Sequence, residues 1–87
     1  MRFAVTFSRS SVKALLGMQP KKAAAIRAAI DTVALDPRAK NNNLMALKGV
    51  PDGYRLRVGD WRVLFTLDHG AQKMDVYGIA HRREAYR

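Results

Sequence analysis

The second half of the chain contains a run in which apolar and polar residues alternate around a Gly-Asp centre. The run covers Tyr54–Phe65, and Gly59-Asp60 lies in its middle. Alternation with a period of two is typical of a half-buried strand. A glycine-first pair of turn residues favours a type II′ β-hairpin, because glycine accepts a positive φ. The pattern therefore predicts two antiparallel strands in which Val58 pairs with Trp61.

This register divides the hairpin residues between the two faces of the predicted sheet. One face is apolar and comprises Leu56, Val58, Trp61, Val63 and Phe65. The other face carries Arg55, Arg57 and Arg62, with Arg57 directly opposite Arg62. Opposed like charges weaken a sheet by a few tenths of a kcal/mol up to about 1 kcal/mol. The pair therefore predicts a site for an anion, and phosphate suits guanidinium groups best.

The remaining pattern predicts two helices and further strands. Residues 3–7 are β-branched and aromatic enough for a strand, and Ser8 can cap a helix over 9–18. Pro20 suits the start of a second helix, which we expect to stop at Asp36-Pro37 because the residue before a proline resists helical geometry. Strands are expected at 54–58, 61–67 and 73–80, and residues 44–47 are expected to form either a short strand or an irregular edge. The predicted fold is a single α+β domain over residues 1–87, a small antiparallel sheet with an N-terminal helical hairpin on its apolar face.

The charge of the chain points to an acidic partner. It has 16 lysines and arginines against 7 acidic residues, a formal net charge of +9. Such a balance is typical of proteins that bind nucleic acid or an acidic protein, although arginines on a solvated sheet face are the simpler alternative. No apolar run approaches the roughly 20 residues of a membrane span. The apolar stretch at the start of the chain, residues 1–7, is too short for a signal peptide. We therefore expect a cytoplasmic protein with no membrane partner.

The C-terminal segment adds candidates for proton transfer. His81 and Tyr86 can each hold or move a proton, and Arg82 and Arg83 lie between them in the sequence. Taken singly, such residues are more often surface or packing residues. The chain has no cysteine, which excludes disulfides and thiolate metal sites, and its two histidines are far apart. The sequence predicts no metal and no cofactor.

The hairpin and the ending Ile-Ala-His-Arg-Arg-Glu-Ala-Tyr at 79–86 together resemble the RelE branch of the RelE/ParE toxin superfamily. The resemblance extends over most of the chain, including the Asp36-Pro37 helix exit and the Leu47-Lys48-Gly49 approach to the hairpin. It implies a RelE-like fold and a ribosome-dependent endoribonuclease that cuts mRNA in the decoding site without a metal. It also implies a cognate antitoxin whose acidic segment folds on the toxin, giving a toxin–antitoxin hetero-oligomer.

The resemblance also implies roles for individual residues. RelE has lysines where this chain has Arg55 and Arg57, and an arginine effectively cannot give up its proton. Proton transfer therefore shifts toward the histidine and tyrosine near the end of the chain. The expected catalytic residues are Arg57, Arg62, His81, Arg82 and Tyr86. The expected RNA-binding residues are Arg55, Arg57, Arg83 and Lys48.

Two other functions remain open at this point. A ParE-like toxin would have the same fold but would poison DNA gyrase by protein contact, without cleaving RNA. A third possibility is a module that binds an antitoxin or nucleic acid and has lost its catalysis. The arginine-rich hairpin favours the RelE branch, because a toxin that acts by protein contact need not build an RNA-cleaving face.

Overall fold

The computed structural model describes residues 2–82, which form a five-stranded sheet and two helices. The strands are β1 (Ala4–Phe7), β2 (Leu44–Ala46), β3 (Gly53–Val58), β4 (Trp61–Asp68) and β5 (Lys73–His81). The helices are α1 (Arg9–Leu16) and α2 (Pro20–Leu35). The α+β class and the helical hairpin predicted from the sequence are confirmed. Neither helix is long and apolar enough to cross a membrane.

Local sequence signals account for the ends of both helices. The Ser8 side chain accepts a hydrogen bond from the backbone N–H of Ser11 at 3.2 Å and so caps α1. This helix ends at Leu16, two residues earlier than expected. The second helix begins at Pro20 and stops immediately before Asp36-Pro37, as predicted.

The sheet is mixed, whereas the sequence pattern predicted an antiparallel one. Its strand order is β1-β5-β4-β3-β2, and β1 runs parallel to β5 while every other pair is antiparallel. The chain leaves β1 directly into α1, whose first residues bind to β5. The backbone N–H of Ser8 donates to the Val76 carbonyl at 2.9 Å, and the Ser8 hydroxyl donates to the Tyr77 carbonyl at 3.1 Å. These bonds tie the end of β1 to the middle of β5.

The core lies between the helices and one face of the sheet. Four residues of α2 are buried there: Ile26, Ile30, Val33 and Ala34. They belong to one cluster with buried sheet residues, which include Leu56, Val63, Phe65, Met74, Val76 and Ile79. The helices do not cover the opposite face of the sheet, and that face carries the arginines.

A β-bulge in β5 decides which of its later side chains face the core. Leu64 pairs with Gly78, but the next residue, Phe65, pairs with Val76, so Tyr77 is an extra residue in the ladder. An extra residue reverses the alternation of every side chain beyond it. Residues 78 and 80 therefore lie on the arginine face, and residues 79 and 81 lie on the helix face.

Candidate functional site

The hairpin has the register that the sequence predicted. Val58 pairs with Trp61 and Arg57 pairs with Arg62, and the turn between the strands is Gly59-Asp60. Gly59 has a φ of +59° and the φ of Asp60 is not positive, as a type II′ turn requires. Leu56 and Val63 are buried against the helices, and Val58 and Trp61 are half-buried.

Three arginines lie together on the outer face of β3 and β4. Arg55 pairs with Leu64, and Arg57 pairs with Arg62 one step closer to the turn. Within residues 2–82, none of these three guanidinium groups has a carboxylate oxygen within 4.0 Å. The local positive charge is therefore uncompensated by the described part of the protein, and an anion can reach it from solvent.

The opposed guanidinium groups turn away from each other. Arg62 is only 9% exposed, and its Nη1 donates to the carbonyls of Trp61 at 3.2 Å and Gly59 at 3.5 Å. Arg57 is exposed, and its Nη2 donates in the other direction to the side-chain oxygen of Asn43 at 3.4 Å. Both arginines line a cleft of about 190 Å³, whose other lining residues are Asn42, Asn43, Met45 and Arg55.

Arg82 lies at the hairpin-turn end of the sheet. Its backbone N–H donates to the carbonyl of Asp60 at 2.7 Å, so the chain leaves β5 beside the turn. Its Nη1 lies 3.7 Å from the Asp60 carboxylate, and both side chains are well exposed. An exposed pair of this kind contributes little to stability. The guanidinium of Arg82 can therefore exchange the Asp60 carboxylate for a phosphate at little cost in free energy.

His81, which was expected to act together with the arginines, lies on the opposite face of the sheet from them. It pairs with Trp61, and the two rings meet edge to face with centroids 5.3 Å apart. Both line a pocket of about 490 Å³ on the helix side, together with Lys22 of α2. The physical reason is the bulge at Tyr77, which reverses the side-chain alternation before the strand reaches residue 81.

The other predicted residues lie outside the arginine cleft or outside the described residues. Lys48 is exposed in the turn between β2 and β3, at the end of β3 that is opposite to Gly59-Asp60. Arg83 and Tyr86 fall in residues 83–87, outside the described part. Their assigned roles remain predictions.

Asn42, Asn43 and Met45 line the cleft but were not singled out from the sequence, and two of them contact the arginines. Asn43 binds Arg57, and Met45 has its sulfur 3.4 Å from Nη2 of Arg55 while remaining 59% exposed. The alternating pattern of the hairpin does not predict which residues of the adjacent strand lie beside the arginines. The signal that identifies them is the weak strand at 44–47, because an edge strand beside β3 must present alternate residues to the arginine face.

Comparison with known families decides the class of protein. A family model described as the ParE toxin of the type II toxin–antitoxin system parDE matches residues 5–86. The chain belongs to this toxin family. The RelE/ParE superfamily expected from the sequence is thereby confirmed, and the protein is a toxin of a type II toxin–antitoxin module. No curated protein matches the sequence.

The fold of this RelE/ParE toxin is also found in solved RelE structures. The archaeal RelE–RelB complex from Pyrococcus horikoshii OT3 has a TM-score of 0.81 and 22% identity, covering 94% of this chain and 97% of that one. A free Escherichia coli RelE mutant with two arginines changed to alanine has a TM-score of 0.81 and 16% identity, covering 99% and 90%. The RelBE2 complex from Mycobacterium tuberculosis gives 0.77 and 19%, covering 94% and 100%. At these identities the likeness establishes the fold alone.

Proposed function

We propose that this toxin is a ribosome-dependent endoribonuclease that cleaves mRNA in the decoding site. The observation that carries the proposal is the uncompensated arginine face, where Arg57 and Arg62 are opposed across one cleft without a carboxylate within 4.0 Å in the described residues. Like charges placed together at a cost in stability are expected where an anion binds between them. In RNA that anion is the backbone phosphate.

The reaction needs no group beyond the RNA and the protein. The 2′-hydroxyl of one nucleotide loses its proton and its oxygen forms a bond to the adjacent phosphorus. The bond from phosphorus to the 5′-oxygen of the next nucleotide breaks, and that oxygen takes up a proton. The protein must align the attacking oxygen with the leaving oxygen and stabilise the charge that builds up on the phosphate.

The arginine cleft supplies the charge that this reaction requires. Arg57 approaches the cleft from the β2 side and Arg62 from the hairpin turn, so a phosphate between them can accept hydrogen bonds from both. Arg55 lines the same cleft and would bind the strand beside it. We assign Arg82 to the neighbouring phosphate, in exchange for its exposed pairing with Asp60.

Proton transfer falls to Tyr86 in this proposal. Arginine side chains do not act as bases, and His81 lies on the other face of the sheet. The assignment of Tyr86 rests on the near-terminal tyrosine of the RelE pattern. We assign Arg83 and Lys48 to weaker contacts with the RNA backbone, which are electrostatic and independent of sequence.

Primer extension on mRNA from cells that express the toxin tests the proposal. We expect cuts at fixed positions within codons, and we expect them to vanish with Arg57→Ala. Arg38→Ala removes the same charge from an exposed residue outside the arginine cleft and should leave the cuts in place. Intact mRNA during growth arrest would contradict the proposal.

A gyrase poison is the second candidate function, because the family model that matches is that of ParE. Such a toxin would act by protein contact and would leave mRNA uncut. Covalent complexes of gyrase with DNA, trapped from arrested cells, would support it. The third candidate, a module without catalysis, predicts neither mRNA cuts nor gyrase complexes.

We further propose a cognate antitoxin as partner, with an acidic segment that folds on the toxin and covers the arginines. The solved relatives from Pyrococcus horikoshii and Mycobacterium tuberculosis are toxin–antitoxin complexes. The toxin also exposes apolar surface on α1, where Val12 is 44% and Leu16 is 76% exposed. Apolar residues of the antitoxin would dock on the helices or at the sheet edge, and its acids would pair with the arginines.

Electrostatic capture predicts that salt slows association with the antitoxin. A net charge of +9 attracts an acidic segment over a distance of roughly 10 Å at 0.1 M salt, and added salt shortens that range. Stopped-flow association rates should therefore fall steeply between low and high salt. Leu16→Ser should instead speed dissociation and leave the salt dependence unchanged. An association rate that is independent of salt would contradict the electrostatic part.

A further inference from the structure

Phosphate binding between the opposed arginines requires a contact that holds the guanidinium of Arg57 in place at the cleft. Arg57 and Arg62 are cross-strand partners, and two guanidinium groups left to themselves repel each other. Arg62 is fixed by its bonds to the carbonyls of Trp61 and Gly59 and is almost fully buried. Arg57 is exposed, so only a specific contact can hold its guanidinium at the cleft.

Asn43 makes that contact, and it is itself firmly placed. Its carbonyl accepts the backbone N–H of Arg57 at 2.9 Å, which fixes it beside β3. Its own backbone N–H donates to the side-chain oxygen of Asn41 at 2.9 Å, and the N–H of Leu44 donates to the Asn41 carbonyl at 3.2 Å. This turn presents the amide of Asn43, whose oxygen accepts Nη2 of Arg57 at 3.4 Å.

The geometry points to Asn43 as a positioning residue that holds the guanidinium of Arg57 at the β2 side of the cleft, apart from Arg62, so that a phosphate can bind between the two. This inference rests on the proposed function of the cleft. An amide suits the role because it accepts a hydrogen bond without neutralising the charge. A carboxylate at the same place would pair with Arg57 and remove it from phosphate binding.

Adjacent asparagines provide a matched pair of variants. Asn42 and Asn43 both line the cleft, but only Asn43 has a hydrogen bond to Arg57 among the bonds found in residues 2–82. Asn43→Asp and Asn42→Asp add the same negative charge to the same cleft. We expect Asn43→Asp to lower the single-turnover cleavage rate on ribosomes about 100-fold, comparable to the loss of one electrostatic donor. Asn42→Asp should cost only a few-fold, through its general effect on the field.

A double-mutant cycle separates positioning from a structural role. Asn43→Ala is expected to slow single-turnover cleavage about tenfold when Arg57 is present and to cause no further loss from the slow residual rate of Arg57→Ala. The effect should appear in kcat more than in KM, because the other arginines still bind the strand. A merely structural role in the turn would slow cleavage equally in both backgrounds.

The outcomes distinguish this inference from the proposed function. If Arg57→Ala is inactive but Asn43→Asp and Asn42→Asp lose equal activity, the role of Asn43 is wrong and the proposed function stands. If Arg57→Ala cleaves mRNA at the wild-type rate, the cleft is not the site and both fall. The NMR signals of the Arg57 guanidinium in the free toxin give a readout without RNA, and Asn43→Ala should shift them while Asn42→Ala should not. Unshifted signals would overturn the contact itself.

Discussion

Arg62→Ala is expected to abolish growth inhibition while leaving a folded protein. The side chain is the most enclosed of the three arginines and is held by the carbonyls of Gly59 and Trp61, so its guanidinium is oriented before the substrate arrives. Removing one preorganised donor to a charged transition state typically costs 10²–10³ in rate. A toxin slowed to that extent should no longer arrest cells.

The stability of Arg62→Ala reflects two opposing effects. The opposed charges alone would give unchanged or slightly raised stability, because the substitution relieves the repulsion with Arg57. In the structure the substitution also removes the long hydrogen bonds to Gly59 and Trp61. Each effect amounts to about 1 kcal/mol or less, so the free energy of unfolding should change by less than about 1 kcal/mol.

Growth assays measure the toxicity of Arg62→Ala, and thermal melts of the same variant measure its stability. Arg38→Ala serves as the control, since it lowers the net charge equally but lies in the loop after α2. It should remain toxic and equally stable. Loss of folding together with loss of toxicity in Arg62→Ala would favour a structural role for the arginine. Full toxicity of a folded Arg62→Ala would remove it from the site.

The hairpin was predictable because all of its determinants are local. Two strands joined by a two-residue turn can pair in few ways, and the burial of one face selects the register. The glycine at 59 and the alternation on either side of it therefore fix which residues face each other. The opposed Arg57 and Arg62 follow directly from that register, and so does the apolar face.

The orientation of β1 and the position of His81 depend on contacts between distant parts of the chain. β1 joins β5 across 69 residues, and the bonds from Ser8 to the bulge carbonyls have no counterpart in the local pattern. The bulge does leave a trace in the sequence. Apolar residues at 74 and 76 alternate with polar ones, and the next buried residue is 79 instead of 78. A break in period two beside Gly78 is typical of a bulge.

The same reversal also shapes the arginine face. Gly78 and Ala80 lie beside Leu64 and Arg62 on that face, where an unbroken ladder would have placed Tyr77 and Ile79 and would have put His81 on the same face. The bulge therefore places small residues beside the arginines and removes the histidine from their face.

Tyr86→Phe is expected to slow cleavage, whereas His81→Ala is expected to lower stability and leave the cleavage rate almost unchanged. General acid–base catalysis contributes typically 10²–10⁴ to a rate, and Tyr86→Phe should slow single-turnover cleavage on ribosomes within that range while ribosome binding persists. His81→Ala should cleave at close to the wild-type rate, because its ring lies on the helix face against Trp61.

Removal of the His81 ring should instead be visible in the thermal melt. An aromatic pair that meets edge to face is worth about 0.5–1.5 kcal/mol beyond its buried area, so the midpoint of unfolding should fall by several degrees. Cleavage rates measured well below that midpoint keep the two effects apart. If His81→Ala slowed cleavage as strongly as Tyr86→Phe, the RNA would have to pass around the Gly59-Asp60 turn and enter the pocket that Trp61 and His81 line. The chemistry would then take place on the helix side, and the arginine face would serve only to hold the strand.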